Sequence, residues 1–153
     1  MGEQENKDLN RRFFQEVFND HNVDAMDELL ADDFVEHQIF PGFTQDREGA
    51  KQFFSYMFQA FPDLRAEIED MVASGDRVGI RSTFYGTHQG EFLGVPATGK
   101  QVAIGAMDIV RVADGRATDR WGIFDAMSMM MQLGVIPAPE QAQAPAAEAP
   151  AST

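Results

Sequence analysis

The sequence carries a few ionisable side chains inside apolar stretches, an arrangement suited to proton transfer on an organic molecule. Asp125 is the most suggestive, because Ile123 and Phe124 precede it and Ala126 and Met127 follow it. A carboxyl group in apolar surroundings can exchange protons near neutral pH and so serve as a general acid or base. Aspartate directly before a helix is also a common N-cap. Catalysis and helix capping are both open interpretations of Asp125.

Two histidines and a second aspartate are further candidates. His37 lies within the mainly apolar segment 35–42, and His88 ends a predicted strand. Either histidine could transfer a proton, or could bond to the backbone at the rim of a pocket. Asp108 stands in an alternating row of valine, isoleucine and alanine. It is therefore either a second inward-facing carboxylate or the partner of an arginine at a β-bulge.

The residue pattern does not favour a metal or an organic cofactor. His37, His88 and one aspartate could form a facial triad for iron, but closely spaced ligands such as HxD or HExxH are missing. The chain contains no cysteine, which excludes thiolate nucleophiles and cysteine-bound metals. It also lacks the GxGxxG, P-loop and GxSxG motifs. We expect a site that works without metal or cofactor.

Charge and hydropathy exclude two further classes of partner. The 12 Lys and Arg residues against 25 Asp and Glu residues give a formal charge of −13. Such a surface repels nucleic acids and anionic membranes. No apolar run approaches the ~18 residues of a membrane span, and the first residues do not resemble a signal peptide. The expected ligand is a small hydrophobic organic molecule, and the expected location is the cytoplasm.

The periodicity of apolar residues predicts the elements that would position these side chains. Helices are predicted over residues 7–19, 23–30, 50–61 and 126–133. Strands are predicted over residues 64–73, 77–88, 101–112 and 116–124, with turns at 74–76 and 113–115. Residues 1–137 are expected to form one domain. The Pro- and Ala-rich residues 138–153 are expected to form a disordered tail.

Helices followed by an antiparallel meander define an α+β fold, with the helices packed on one side of a curved sheet. The chain contains 13 Phe residues, so a cavity between helices and sheet would have apolar walls. Strand alternation places His88 on the same face as Phe84. It also places Trp121 in phase with Asp125, if the last strand extends that far.

Four stretches together resemble the SnoaL-like polyketide cyclases, also called ester cyclases, of the nuclear-transport-factor-2-like superfamily. They are residues 31–37 (ADDFVEH), 61–64 (FPDL), 86–100 (GTHQGEFLGVPATGK) and 119–134, which ends in QLG. The resemblance implies a cone-shaped α+β barrel, with a curved antiparallel or mixed sheet and N-terminal helices around a deep apolar pocket. It also implies a homodimer or homotetramer.

The same resemblance implies a reaction and a set of site residues. The reaction is a cofactor-independent intramolecular aldol condensation, which closes a ring in a polyketide or similar hydrophobic carbonyl compound. Counting back from QLG places the acid/base role on Asp125, and the pocket histidines of the family correspond to His37 and His88. Trp121 matches an aromatic position of the pocket wall. We also expect contacts with the substrate from Phe40, Phe54, Phe84, Met107 and Asp108.

Three alternatives stay open, because one fold can host many activities. The same pocket could belong to a hydrolase, hydroxylase or isomerase. It could bind small hydrophobic metabolites without any reaction. The chain could also be a dimerising stress or regulatory protein whose pocket is unused.

Overall fold

The computed structural model describes residues 2–137, and the predicted tail over 138–153 lies outside the described residues. Four α-helices are formed in this part of the chain: α1 (Glu3–Phe13), α2 (Met26–Leu29), α3 (Arg47–Ala60) and α4 (Ala126–Leu133). A π-helical segment, Phe14–Asn19, continues α1, and a short 3₁₀ turn, Val23–Ala25, leads into α2. Each predicted helix is therefore present. Within residues 2–137, no helix is both long enough and apolar enough to span a membrane.

The helix ends follow from local chemistry. The Asp46 carboxylate accepts a hydrogen bond from the backbone N–H of Gly49 at 2.8 Å and caps the start of α3. Pro62 lies just beyond the end of that helix, where it cannot continue the hydrogen-bond ladder. Helix α4 ends at Leu133 and is followed by Gly134, whose φ of 81° suits a residue without a side chain.

Five strands form one mixed, curled sheet that does not close into a barrel. They are β1 (Leu30–Glu36), β2 (Arg65–Ser74), β3 (Arg77–Thr87), β4 (Gln101–Ala113) and β5 (Arg116–Phe124). Their order is β1-β5-β4-β3-β2, and all neighbours are antiparallel except the parallel pair of β1 and β5. The α+β fold class is confirmed. Strands β2 to β5 match the four predicted strands, whereas the alternation did not predict β1.

The concave face of the sheet carries the buried side chains and faces the helices. In β4, Ala106, Asp108 and Val110 all point inward and are buried. In β5, the register shifts between the pairs Arg111↔Asp119 and Val112↔Ala117. One extra residue on β5 at this bulge sets the phase of the strand beyond it.

Phenylalanines from the helices fill the space above the concave face. Phe18 stacks on Phe84 of β3 with ring centroids 5.1 Å apart. Phe40 stacks on Phe53 of α3 with ring centroids 3.8 Å apart. These contacts form an aromatic core that encloses the candidate site.

Candidate active site

A cavity of about 110 Å³ lies between the concave face of the sheet and the helices. Twelve of the 13 phenylalanines line it: Phe13, Phe14, Phe18, Phe34, Phe40, Phe43, Phe53, Phe54, Phe61, Phe84, Phe92 and Phe124. Its volume is close to that of protein cavities that hold one aromatic ring, on the order of 150 Å³. The predicted apolar pocket between helices and sheet is therefore present.

Three charged side chains of the lining form a cluster, which we call the carboxyl–arginine cluster: Glu36, Asp108 and Arg120. Arg120 Nη1 donates to Glu36 Oε2 at 2.8 Å, and Arg120 Nη2 donates to Asp108 Oδ1 at 2.7 Å. Arg120 Nη1 also donates to Gln38 Oε1 at 3.2 Å, and the backbone N–H of Gln38 donates to Glu36 Oε2 at 3.1 Å. One cation thus joins two carboxyl groups at the cavity wall.

Three neighbouring strands bring this cluster together. Glu36 ends β1 and is paired in register with Arg120 of β5. Asp108 of β4 lies directly opposite Gly122, two residues beyond Arg120 on β5. Because side chains two residues apart share a face of a strand, Arg120 can extend along β5 towards Asp108. The parallel strand β1 is therefore essential to the cluster, since it supplies the second carboxyl group.

Burial controls the ionisation of the cluster. Glu36 and Asp108 are each 7% exposed. Their burial raises the pKa of both carboxyl groups, and the nearby Arg120 offsets this effect only in part. The pKa of Arg120 lies above its ordinary value because the attraction of the two carboxylates outweighs the effect of burial. Two carboxyl groups this close to one another titrate as a coupled pair, and the pair holds its last proton to a higher pH than an ordinary carboxyl group does.

Four of the predicted contact residues do line the cavity: Phe40, Phe54, Phe84 and Asp108. Asp108 faces inward, as the first interpretation of its sequence position had it, and it also pairs with an arginine. The pair does not lie at a β-bulge, because Asp108 is in regular register with Gly122. Met107 and Trp121 were expected in the pocket and lie instead on the outer face of the sheet. Met107 is 60% exposed, since its neighbours Ala106 and Asp108 point inward. Trp121 directly follows Arg120 on β5. Because Arg120 lines the cavity and successive side chains of a strand point to opposite faces, Trp121 points outward.

Asp125 lies outside the cavity lining and is exposed. Its Oδ1 accepts a hydrogen bond from the backbone N–H of Ser128 at 3.0 Å, so it is the N-cap of α4. The structure does not bring Asp125 together with Asp108 or Arg120. Its catalytic role stays a prediction, and its observed contact is the capping one.

The two candidate histidines lie apart from the cavity and from each other. His37 stacks on Trp121 with centroids 4.5 Å apart, and its Nε2 lies 2.9 Å from Asp119 Oδ2. His88 is fully buried but does not line the cavity. Its Nδ1 lies 3.2 Å from the backbone N–H donor of Thr98, which fixes the adjoining loop. Their catalytic roles also stay predictions.

Sequence reasoning did not identify Glu36, Gln38 or Arg120. The sequence prediction placed Trp121 and Asp125 on the inward face of β5. The residues of this part of the strand that face the cavity are instead those at the alternating positions. The available signal for Arg120 was Asp108, because a buried carboxylate in an apolar strand needs a cation beside it. An arginine on a neighbouring strand could supply that cation. Glu36 could not be placed without the prediction of β1.

Comparison with known proteins agrees with this architecture, a cone-shaped NTF2-like α+β fold around an apolar cavity. A family model for SnoaL-like polyketide cyclases matches residues 8–133. The chain therefore belongs to the SnoaL-like polyketide cyclase family. The comparison with curated proteins finds no match.

Three solved structures illustrate the similarity. TsrD from Streptomyces laurentii has 25% identity and a TM-score of 0.81, over 89% of this chain and 99% of TsrD. IdmH from Streptomyces antibioticus, described as a candidate polyketide cyclase, has 35% identity and a TM-score of 0.74, over 84% and 98% of the two chains. AclR from Streptomyces galilaeus, described as a candidate hydroxylase, has 26% identity and a TM-score of 0.77, over 89% and 100%. Family and neighbours support a cyclase or a related function.

Proposed function

We propose that this protein catalyses an intramolecular aldol ring closure of a polyketide or similar hydrophobic carbonyl compound, with Asp108 as the acid and base. The observation that carries this proposal is the carboxyl–arginine cluster, a group of buried charges in the wall of a phenylalanine-lined cavity. A buried carboxyl group with a raised pKa can both accept and return a proton near neutral pH. Asp108 replaces Asp125 in this role because only Asp108 lines the cavity.

Hydrogen bonding distinguishes the two carboxyl groups of the cluster. Glu36 accepts from Arg120 and from the backbone N–H of Gln38, whereas Asp108 accepts from Arg120. Donors stabilise the charged form of a carboxylate. The additional donor therefore holds Glu36 more firmly as an anion, and Asp108 is the better site for a proton that must come and go.

Asp108 would remove a proton from a carbon that lies between two carbonyl groups of the substrate. The electron pair of the broken C–H bond then forms an enolate, and the enolate carbon bonds to a second carbonyl carbon of the same molecule. The oxygen of that carbonyl takes the proton back from Asp108. The product has the same atoms as the substrate, and the carboxylate is restored.

Arg120 would stabilise the negative oxygen that develops in both steps. A guanidinium group has five N–H donors, and its contacts with Glu36, Gln38 and Asp108 use three of them. The remaining two can bond to a substrate oxygen. A positive group that is already in place is most effective in a site with little water. The apolar walls supply this environment and hold the reacting carbons together.

The test compares two isosteric variants, Asp108→Asn and Asp125→Asn, with a polyketide methyl ester as substrate. We expect Asp108→Asn to lower turnover by at least about 100-fold, the usual contribution of a general base, and to retain the circular dichroism spectrum of the parent. Turnover by Asp125→Asn at near the parent rate would support the proposal. Loss of turnover in Asp125→Asn, with activity retained in Asp108→Asn, would instead support the prediction from the sequence.

Hydrolysis is a second candidate, favoured by the presence of two carboxyl groups on one cavity. Glu36 and Asp108 could hold and deprotonate a water molecule that attacks an ester or epoxide. Product analysis in water enriched in ¹⁸O separates the two reactions. Hydrolysis incorporates one labelled oxygen into the product, whereas ring closure adds none. Tight binding of the ester without any product would identify a binding protein.

A further inference from the structure

We propose that Gly122 is a positioning residue, whose missing side chain leaves the space in which Asp108 and Arg120 form their ion pair. Gly122 does not itself contact a substrate in this proposal. It acts by allowing the guanidinium group to lie flat across β5 and reach the carboxylate on β4. Its importance for catalysis rests on the proposed function, but its effect on the ion pair can be measured without a substrate.

The geometry around Gly122 supports this role. Gly122 is the cross-strand partner of Asp108 and stands two residues after Arg120 on the same face of β5. A methyl group on the Cα of Gly122 would lie 2.6 Å from Cζ of Arg120, and it would also collide with Asp108 Oδ1 and Arg120 Nη2. The atoms that it would strike are those that form the 2.7 Å hydrogen bond between Asp108 and Arg120.

Backbone conformation does not explain the glycine. Gly122 is not among the glycines with positive φ, so an alanine could adopt its backbone angles. Alanine is also no worse than glycine inside a strand, since glycine weakens strands. The space taken by the side chains of Asp108 and Arg120 is therefore the reason that the structure offers for a glycine at this position.

Displacement of Arg120 would change the ionisation of Asp108. The charged groups that face Asp108 are Arg120 from β5 and Glu36 from the end of β1, while its partner on β3 is the apolar Ile80. Loss of the guanidinium contact would leave a buried carboxyl group beside another carboxyl group. Both effects favour the protonated form, which cannot act as a base.

The chain offers a matched control for the substitution Gly122→Ala. Gly105 lies in the neighbouring strand β4, also lacks a positive φ, and has open space where a methyl group would be added. Gly105→Ala makes the same chemical change in the same sheet without touching the cluster. Any general effect of alanine in a strand would appear in both variants.

The experiment is an NMR titration of the Asp108 side-chain carboxyl carbon in the free protein from pH 4 to pH 9. We expect Gly122→Ala to move the titration midpoint to higher pH by at least about 1 pH unit, the usual effect of one close opposite charge. Gly105→Ala should titrate like the parent. An unchanged Asp108 titration in a folded Gly122→Ala protein would overturn the proposal. With the methyl ester substrate, the rising limb of the pH–rate profile should move in the same direction.

A second variant keeps the proposal testable if Gly122→Ala does not fold. In the double variant Asp108→Ala, Gly122→Ala, removal of the carboxylate makes room for the new methyl group and lets the guanidinium swing aside. We expect the double variant to fold and to melt at a higher temperature than Gly122→Ala. Equal melting temperatures of the double variant and Gly122→Ala would overturn the proposal, because the glycine would then be required for a reason other than the space taken by Asp108 and Arg120. These outcomes do not depend on whether the protein is a cyclase.

Discussion

At the scale of single residues, the site depends on one cation placed between two buried carboxyl groups. Arg120 contacts Glu36 at 2.8 Å and Asp108 at 2.7 Å, and both carboxyl groups are almost entirely removed from solvent. Removing one partner of a buried ion pair leaves an uncompensated charge, which costs far more than the loss of a surface pair. The cluster is therefore important for stability as well as for the proposed chemistry.

The substitution Arg120→Met should destabilise the protein strongly and make its stability depend on pH. We expect a loss of about 3–5 kcal/mol in the free energy of unfolding at pH 8. The folded-state pKa of Glu36 and Asp108 is already raised by burial, and loss of Arg120 raises it further. The folded state then binds more protons than the unfolded state, so the loss should shrink as the pH falls towards 5.

Urea denaturation at pH 5 and pH 8 measures this effect. The exposed pair of Arg81 with Asp70 supplies the control, and Arg81→Met should cost no more than about 1 kcal/mol at either pH. A loss for Arg120→Met that is equal at the two pH values would contradict the assigned ionisation.

Asp125 should behave as a helix cap in stability measurements. Its carboxylate accepts the Ser128 N–H at the start of α4. We expect Asp125→Ala to lower the free energy of unfolding by about 1 kcal/mol, whereas Asp125→Asn should be nearly neutral because asparagine caps helices equally well. Thermal or chemical unfolding of the two variants measures the difference. Equal losses in both would show that the negative charge matters beyond the cap.

At the scale of elements, Asn19 at the end of the π-helical segment Phe14–Asn19 links that segment to strand β2 of the sheet. The Asn19 side chain accepts from the backbone N–H of Ala66 at 2.8 Å and donates to the Ala66 carbonyl at 3.2 Å. It thereby satisfies both polar groups of one residue on the edge strand β2. The Asn19 amide therefore makes the two backbone hydrogen bonds that a further strand would make to β2 at this point.

Replacing Asn19 by alanine should loosen β2 locally. Two hydrogen bonds are lost, and we expect a cost of about 1–3 kcal/mol because both backbone groups of Ala66 lose their partner. Native-state hydrogen exchange should show faster exchange at Ala66, while amides in the central strand β4 keep the protection set by global unfolding. Uniform acceleration across the sheet would contradict a local role.

The elements also show what the sequence could and could not predict. Strands β2 to β5 were predictable because each alternates and pairs with a neighbour along the chain through a hairpin or a loop. Strand β1 has only seven residues, pairs in parallel with the distant β5 and carries two aspartates. Its formation depends on a tertiary contact with β5, to which local periodicity gives no clue.

The site was partly predictable for the same reason. Asp108 was found because its neighbours in β4 alternate without interruption. The phase of β5 depends on a bulge next to Asp119, and no local signal places that bulge. The sequence therefore led to the prediction that Trp121 faces the pocket, whereas Arg120 is the residue that does and Trp121 lies on the outer face. Glu36 depends on the unpredicted strand β1, so two of the three cluster residues required the tertiary structure.

At the scale of the whole molecule, the outer face of the sheet carries an apolar patch, formed by Met107, Ile109, Trp121 and Ile123. Met107 is paired with Ile123 and Ile109 with Trp121 across β4 and β5, so the four side chains form two adjacent rows. Met107, Ile109 and Ile123 are 60%, 46% and 70% exposed. Contiguous apolar patches of this kind commonly mark an interface.

We propose that a homodimer, one of the two assemblies that the family resemblance implies, covers this patch with the same patch of a second copy. A twofold axis would place this face against the same face of a second copy and bury the three exposed side chains of the patch, Met107, Ile109 and Ile123, from each chain. We expect the parent to elute as a dimer, and Ile123→Lys to shift the mass measured by light scattering towards the monomer. The control is Leu93→Lys, which adds the same charge at an exposed position in the loop between β3 and β4, and it should stay dimeric. A monomeric parent at micromolar concentration, or dissociation by both variants alike, would contradict this interface.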